Sequence, residues 1–209
     1  MSSFFSRGST AKNVVSEDNR TLAINRLKPH FLNNILSTIY YICDSDPQKA
    51  QTVTATFSEY LLGALEALKK DDLASFSWEM GLIRSYLSLE KIRLDDKLAI
   101  DYDVDITDFN IPPLSVLFLV EDAVKRGISG LNKTGTVKIS TRRLAGGVIQ
   151  IKVCDDGNPH EEPNPQKAEE IKKDYEIVRK RIQQNADGEL NISKREGGGT
   201  EATITISAE

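Results

Sequence analysis

Three short segments hold the residues whose types and spacing could do chemistry, and the first is Leu27–Asn34. His30 stands there between Pro29 and Phe31. An imidazole titrates near neutral pH, so an accessible histidine is in part unprotonated and nucleophilic. Because Phe31 follows it, no adjacent carboxylate is available as a general base. The alternative interpretation is a partly exposed helical histidine that does no chemistry.

The second and third segments combine charged residues with proline and glycine. Ile111–Gly127 opens with a proline pair, continues as a nearly all-apolar run and ends with charged residues. Val153–Gly157 places two aspartates and a glycine after an alternating apolar stretch. Gly197–Thr200 adds three glycines and a threonine just before the last alternating apolar stretch of the chain. A buried core helix and an ordinary Asp-Gly turn are the alternatives that need no ligand.

Hydrophobic periodicity predicts the elements that must position these segments. Apolar residues at intervals of three and four predict helices throughout 21–95. Pro29 is expected to kink the first helix, because it removes a backbone donor. Asp46 followed by Pro47 predicts the start of the second helix, and Ser77 can cap the third.

From Leu98 the period changes to two, and residues 96–209 read β-α-β-β-α-β-β. The predicted fold class is therefore α + (α+β), a helical hairpin or bundle followed by an α/β sandwich. We expect 1–20 to be a disordered tail, 21–95 a helical module and 96–209 the α/β domain.

Composition excludes several classes of protein. The 209 residues carry 27 Lys and Arg against 31 Asp and Glu, a balance that argues against a nucleic-acid partner. The longest apolar stretch, Leu114–Val120, is far shorter than the roughly 20 residues of a membrane span. Cys43 and Cys154 are too few and too distant for a disulfide framework or a zinc site, which favours a cytoplasmic location.

The order of the three segments resembles that of sensor histidine kinases of the LytS/YehU type. In that family a Pro-His-Phe phosphoacceptor helix precedes an Ile-Pro-Pro and Val-Glu-Asn segment and a glycine-boxed ATP domain. The match covers about 22–207 and includes the quieter stretch Ile83–Arg93. It implies a His-kinase internal region joined to a domain of the Bergerat (GHKL ATPase) type. It also implies that His30 is the phosphoacceptor.

The resemblance further implies a site for the phosphates of ATP. Asp122 takes the place of the asparagine that holds Mg²⁺ in the family. Its carboxylate is a hard oxygen ligand for Mg²⁺, although it adds negative charge beside a triphosphate. Lys125 and Arg126 stand where the family has residues that contact phosphate.

An adenine pocket is implied by the third segment. Asp155 matches the aspartate that accepts the adenine amino group, and Gly157 matches the glycine that allows close backbone approach. Gly198, Gly199 and Thr200 match the box that closes this pocket.

The phosphate side departs from the family pattern at two further places. Pro159 replaces the second glycine after the adenine box, and Lys172–Tyr175 aligns with a Gly-x-Gly-Leu turn at a helix start. Glycines are used there because bare backbone N–H groups must reach the phosphates. Side chains at these positions are expected to crowd a triphosphate, and Asp174 to repel it.

Three functions follow as hypotheses. The first is an ATP-dependent histidine kinase that phosphorylates His30 and passes the phosphoryl group to the aspartate of a response-regulator receiver domain. We expect it to be a homodimer through the helical module, by a stripe that includes Ile35, Ile39, Phe57 and Leu61. The second is a histidine phosphotransferase with a decayed ATP site. The third is a pseudokinase scaffold that pairs with a partner sensor kinase, which would supply the input that a sensor domain usually gives.

Overall fold

The structure is a computed structural model that describes residues 29–67, 69–70, 73–128, 133–157 and 165–207. The predicted tail at 1–20, the first turns of the predicted first helix and Pro159 lie outside these ranges. None of the helices in the described ranges is both long enough and apolar enough to cross a membrane.

Helices α1 (Pro29–Cys43) and α2 (Pro47–Ala67) form a hairpin. The N-cap predicted for α2 is confirmed, because Asp46 Oδ1 accepts the backbone N–H of Lys49 at 2.9 Å. Pro29 is the first residue of α1 that is described, so the kink expected there stays a prediction.

The cap predicted for the third helix is wrong by two residues. Helix α3 (Phe76–Leu94) is capped by Ser75, whose Oγ accepts the N–H of Trp78 at 3.3 Å, while Ser77 lies inside the first turn. The reason is a tertiary contact that the periodicity does not report. Strand β1 (Ala74–Ser75) pairs with β3 (Asn110–Ile111), and this pairing fixes the chain just before the helix.

The rest of the chain is a mixed five-stranded sheet with helices on one face. The strand order is β2-β4-β5-β7-β6, and only β2 and β4 run parallel. The strands are β2 (Leu98–Val104), β4 (Gly135–Arg143), β5 (Val148–Asp155), β6 (Gly188–Lys194) and β7 (Thr200–Ser207). The helices are α4 (Ser115–Asp122), which continues as a π-helix over Ala123–Ile128, and α5 (Pro165–Asn185). The predicted fold class of a helical module followed by an α/β sandwich is confirmed, with β1 and β3 as additions.

One hydrophobic core runs through both parts. Alternate residues of the central strands, such as Ile139 and Ile151, are buried beneath α4 and α5. Helix α3 packs against the hairpin and against α4, and its Leu87 belongs to the same buried cluster. The division into two domains at residue 95 therefore stays a prediction, since the core does not stop there.

Helix α4 begins in an unusual way. Leu114, at its N-cap, has a φ of 66° and no side-chain oxygen with which to cap the helix. Glu79 of α3 takes that role, because its Oε1 accepts the N–H of Val116 at 2.7 Å and that of Leu117 at 3.0 Å. A carboxylate at a helix N-terminus also complements the helix dipole. A residue of the helical module thus fixes the start of the helix that carries Asp122.

Replacing Ser75 by alanine is expected to lower the free energy of unfolding by about 1 kcal/mol, because the Trp78 N–H loses its acceptor. Ser77→Ala is the matched control, and at its exposed position the change should stay within about 0.5 kcal/mol. Urea unfolding followed by circular dichroism measures both. Equal losses in the two variants would contradict the cap at Ser75.

Candidate functional site

His30 is presented outward by the packing of the residue that follows it. Phe31 is buried, and its ring centroid lies 5.3 Å from that of Tyr60 and 5.5 Å from that of Tyr86. Successive residues of a helix point about 100° apart, so anchoring Phe31 inward leaves the His30 imidazole exposed. His30 Nδ1 lies 3.2 Å from Asn34 Nδ2, one turn further along α1.

The aromatic cluster beneath His30 reaches the helix that carries the second segment. Tyr60 donates its hydroxyl hydrogen to Glu121 Oε1 at 3.2 Å, and Glu121 is buried. The other oxygen of Glu121, Oε2, lies 3.7 Å from Lys125 Nζ. Lys125, predicted to contact phosphate, is therefore paired with Glu121 in this arrangement.

Asp122 and Arg126 form one cluster with Tyr175 of α5. Tyr175 donates its hydroxyl hydrogen to Asp122 Oδ2 at 2.5 Å, and Arg126 Nη2 forms an ion pair with the same oxygen. Arg126 Nη2 also donates to the Tyr175 hydroxyl oxygen at 2.8 Å. Burial, and then the Asp122 carboxylate, raise the pKa of Tyr175, so its hydroxyl keeps the proton that it donates.

In this cluster the protein itself occupies one oxygen of Asp122, the residue expected to hold Mg²⁺. Mg²⁺ requires octahedral oxygen ligands, and a carboxylate that holds it must offer a lone pair to the cation. Asp122 Oδ2 already accepts from Tyr175 and pairs with the guanidinium of Arg126. Within the described ranges, no group of three or more His, Cys, Asp or Glu side chains could hold a metal ion.

Asp155 holds the adenine-side segments together. It ends β5 and is only 4% exposed. Its Oδ1 accepts the N–H of Gly157 at 3.0 Å, and its Oδ2 accepts the N–H of Thr200 at 3.2 Å. Burial raises the pKa of Asp155, and the charge of Asp122 adds to that rise. The adenine-side and phosphate-side residues therefore lie within electrostatic reach of each other.

Three glycines allow the backbone to close around Asp155. A Cβ on Gly127 would lie 2.4 Å from Asp155 Oδ1, and one on Gly157 would lie 2.0 Å from the Gly127 carbonyl oxygen. Gly199 has a φ of 83°, and a Cβ there would lie 2.0 Å from the Asp155 carbonyl oxygen. Gly198 shares this turn at a φ of 115°. Gly157, Gly198 and Gly199 stood among the expected site residues, whereas Gly127 was given no role.

The sequence contains one feature that indicates a packing role for Gly127. It is a single glycine at the end of a predicted helix, and such a glycine often has a packing reason. Here it lies in the π-helix, a geometry frequently found at functional sites.

The structure corrects the expected placement of Lys172–Tyr175 and shows where His30 lies relative to the Asp122 cluster. Lys172–Tyr175 was aligned with a turn at a helix start, and this placement is wrong, because these residues lie well inside α5. The apolar stripe of α5, with Val178 and Ile182 buried, extends the helix through them. His30 does not belong to the cluster of Asp122, Arg126 and Tyr175. It lies on α1, which contacts α4 through Phe31 and Tyr60.

Comparison with known proteins identifies the family. The histidine kinase family matches residues 21–98. YwpD of Bacillus subtilis (strain 168) is 33% identical over 189 residues, which are 87% of this chain and 67% of YwpD. The sensor histidine kinase YpdA of Escherichia coli (strain K12) is 34% identical over 136 residues, 64% of this chain and 24% of YpdA. The sensor protein LytS of Staphylococcus saprophyticus is 27% identical over 135 residues, 64% of this chain and 22% of LytS.

The chain therefore belongs to the LytS-type sensor histidine kinase family. It spans 67% of the length of YwpD but only about a quarter of the length of LytS and YpdA. Among solved structures, the histidine kinase domain of the Erythrobacter litoralis EL346 blue-light activated histidine kinase is 17% identical. That similarity covers 94% of each chain, with a TM-score of 0.49.

Replacing Gly127 by alanine is expected to lower the free energy of unfolding by about 1–3 kcal/mol, because the new methyl group would overlap the Asp155 carboxylate. Gly81→Ala is the control. Gly81 lies in α3, and nothing lies within 4 Å of its Cβ position, so alanine should stabilise the helix by about 0.5–1 kcal/mol. Thermal unfolding of the two variants measures the difference. A stabilising Gly127→Ala would contradict the close approach to Asp155.

Proposed function

We propose that this chain is a histidine-kinase-like signalling protein of a two-component system in which His30 accepts a phosphoryl group. ATP held beside Asp155 supplies the group, and an aspartate on a response-regulator receiver domain takes it next. The exposed imidazole of His30 carries this proposal, because it is a nucleophile on a helix within the part of the chain that matches the histidine kinase family.

The proposed transfer is an in-line displacement. A ring nitrogen of His30 forms a bond to the γ-phosphorus, the bond from that phosphorus to the β–γ bridging oxygen breaks, and ADP leaves with the electron pair. Little covalent chemistry is asked of the protein, so the rate depends on how well the two reactants are positioned. His30 lies outside the Asp155 cluster, and the sheet domain must therefore bring the nucleotide to α1.

Asp155 supports an adenine site by its chemistry. Each carboxylate oxygen accepts one backbone N–H and has a second lone pair. An adenine amino group could use such a lone pair, as the family resemblance implies. Gly157 and Thr200 bond to the carboxylate, and they would form the walls of that site together with Gly198 and Gly199 in the adjoining turn.

A second candidate function is a phosphorelay through His30 without ATP chemistry. The ion pair of Asp122 with Arg126, closed by Tyr175, favours it, because it occupies one oxygen of the carboxylate expected to hold magnesium. In this function the phosphoryl group comes from a phosphorylated receiver domain, and the α/β domain serves as a scaffold.

Incubating the purified chain with γ-labelled ATP and Mg²⁺ is expected to label it on a histidine, seen as acid-labile phosphate. His30→Gln should abolish the label, because the other histidine, His160, is not the acceptor. His160→Gln is the matched control and should keep full labelling. Label that survives in His30→Gln would overturn His30 as the acceptor.

A second donor separates the two candidate functions. If ATP gives no label and no thermal shift, but a phosphorylated receiver domain labels the chain at His30, the relay is correct and the kinase is not. If neither donor labels the chain while it still binds a kinase or receiver, the function is that of a scaffold.

A homodimer through the helical hairpin is part of the proposal, but its face differs from the expected stripe. Ile35 and Phe57 are buried within the chain, and they are therefore not available to a second copy. Leu36 is 54% exposed and Tyr40 is 77% exposed on α1, one turn apart. On α2, Leu62 is 64% exposed.

The exposed apolar residues of α1 and of α2 lie on the same side of the hairpin. Cys43 and Ala55 line one shallow groove between α1 and α2. Cys43 lies two turns beyond Leu36, and Ala55 lies two turns before Leu62. Apolar residues seven apart share a helix face, so Leu36 and Leu62 face the same side. We propose that a second copy covers this face, and that the protein works in the cytoplasm, where receiver domains are found.

Leu62→Glu is expected to convert the dimer to a monomer in sedimentation velocity, because it places a charge in the apolar contact. Leu144→Glu is the control, since Leu144 is an exposed leucine outside the hairpin and should leave the dimer intact. A Leu62→Glu protein that stays dimeric would contradict this face.

A further inference from the structure

The side chain of Asn34 stands at one nitrogen of the His30 ring. The two residues are four apart on α1 and so lie on the same face, one above the other. Asn34 Nδ2 is 3.2 Å from His30 Nδ1; as placed, this amide nitrogen donates to an unprotonated Nδ1, whereas the carboxamide oxygen at the same point would accept from Nδ1–H. With Nδ1 engaged by Asn34, Nε2 is the ring nitrogen that remains to meet a phosphoryl donor.

Which nitrogen is nucleophilic depends on what the other one bonds to. A neutral imidazole carries one proton, and the nitrogen without it has the lone pair that attacks. A partner that accepts a hydrogen bond from Nδ1–H therefore leaves Nε2 nucleophilic. An acidic residue next to the histidine could do this, but Phe31 occupies that position and points into the core.

A carboxamide can bond to Nδ1 before and after the transfer. It carries an acceptor oxygen and a donor NH₂ group of nearly the same shape. A half-turn about its terminal bond brings either atom to the same point, 3.2 Å from Nδ1. The same side chain can thus accept from Nδ1–H or donate to a bare Nδ1, whereas an ionised carboxylate only accepts.

We infer that Asn34 is a positioning residue that holds the Nδ1–H tautomer of His30, so that Nε2 attacks, and then donates to Nδ1 once its proton has left. The inference rests on the proposed function only in needing a phosphoryl donor for His30.

The atoms and electrons of the step balance as follows. The Nε2 lone pair forms the bond to phosphorus, and the leaving group departs with the electron pair of its own bond. The ring is then a phosphorylated imidazolium with a proton on Nδ1. That proton passes to water, and the Asn34 NH₂ group bonds to the lone pair left on Nδ1.

The tautomer can be measured without any phosphoryl transfer. In a His160→Gln background, His30 is the sole histidine of the full chain, and nitrogen-15 labelling of histidine reports its two ring nitrogens by NMR. Asn34→Asp should raise the ratio of the Nδ1–H to the Nε2–H tautomer. Asn34→Ala should lower that ratio about two- to tenfold, as expected for the loss of one hydrogen bond.

Asn33→Ala is the matched control, because Asn33 is an exposed neighbour on another face of α1. Its tautomer ratio should equal that of the parent protein. Circular dichroism checks that the variants remain folded, as expected for changes to polar side chains at or near the surface. An Asn34→Ala ratio that is unchanged, or that moves toward Nδ1–H, overturns the inference.

Phosphoramidate tests the chemical consequence with a donor that needs neither a nucleotide site nor a receiver. Its P–N bond breaks, ammonia leaves, and the phosphoryl group is bound by the ring. The parent protein should be phosphorylated at Nε2. Asn34→Ala should react about two- to tenfold more slowly there and give a larger share of the Nδ1 isomer. Equal rates and isomer shares in Asn34→Ala and Asn33→Ala would overturn the inference.

Failure of the proposed function can be distinguished from failure of the inference about Asn34. A chain that takes no label from ATP or from a phosphorylated receiver fails as a kinase and as a relay. Its His30 tautomer and its reaction with phosphoramidate still decide the role of Asn34, because neither measurement uses those donors.

Discussion

The contact of Glu79 with the start of α4 is the interaction on which the arrangement of the site depends. A buried carboxylate is costly unless hydrogen bonds compensate it, and Glu79 bonds to the N–H groups of Val116 and Leu117. Bonds to a charged group are each worth about 1.5–3 kcal/mol. Because Glu79 belongs to α3 and the N–H groups to α4, the bonds fix the helical module against the helix that carries Asp122. Leu114, whose φ is positive, directly precedes the turn that Glu79 fixes.

A second connection between the two parts runs closer to His30. Phe31 packs on Tyr60, and Tyr60 bonds to Glu121, the residue before Asp122. The helical module and α4 are thus joined at both ends of α4 by buried side chains, from α3 at its start and from α2 at its end. A shift of α1 would change the packing around Glu121 and, through it, the ion pair with Lys125. Any motion that brings a nucleotide to His30 must either carry this core along or open it.

The features predicted correctly from the sequence are those set by residues close together in the chain. The order of helices and strands along the chain and the Asp46 cap follow from periodicity and from one capping side chain, both of which are local. The cap at Ser75 was missed because the pairing of β1 with β3 is a contact across more than 30 residues. The Asp122–Arg126–Tyr175 cluster was missed for the same reason, since Tyr175 reaches Asp122 from another helix. Motif matching named Asp122, Asp155 and Thr200 but did not show which side chains would bond to them.

The two halves of the candidate nucleotide site differ in how they use charge. Around Asp155 the partners are backbone N–H groups, brought close by glycines and leaving lone pairs on the carboxylate. Around Asp122 the partners are side chains, and a guanidinium there neutralises the carboxylate within the protein. Arg126 Nη2 and Asp122 Oδ2 bond to each other and to Tyr175, so these two atoms could meet a phosphate and a cation only if the cluster opened. One movement of α5 away from α4 would remove Tyr175 from this cluster. Tyr175 of α5 therefore helps to close this side of the candidate site, while the ion pair of Asp122 with Arg126 lies wholly on the other helix.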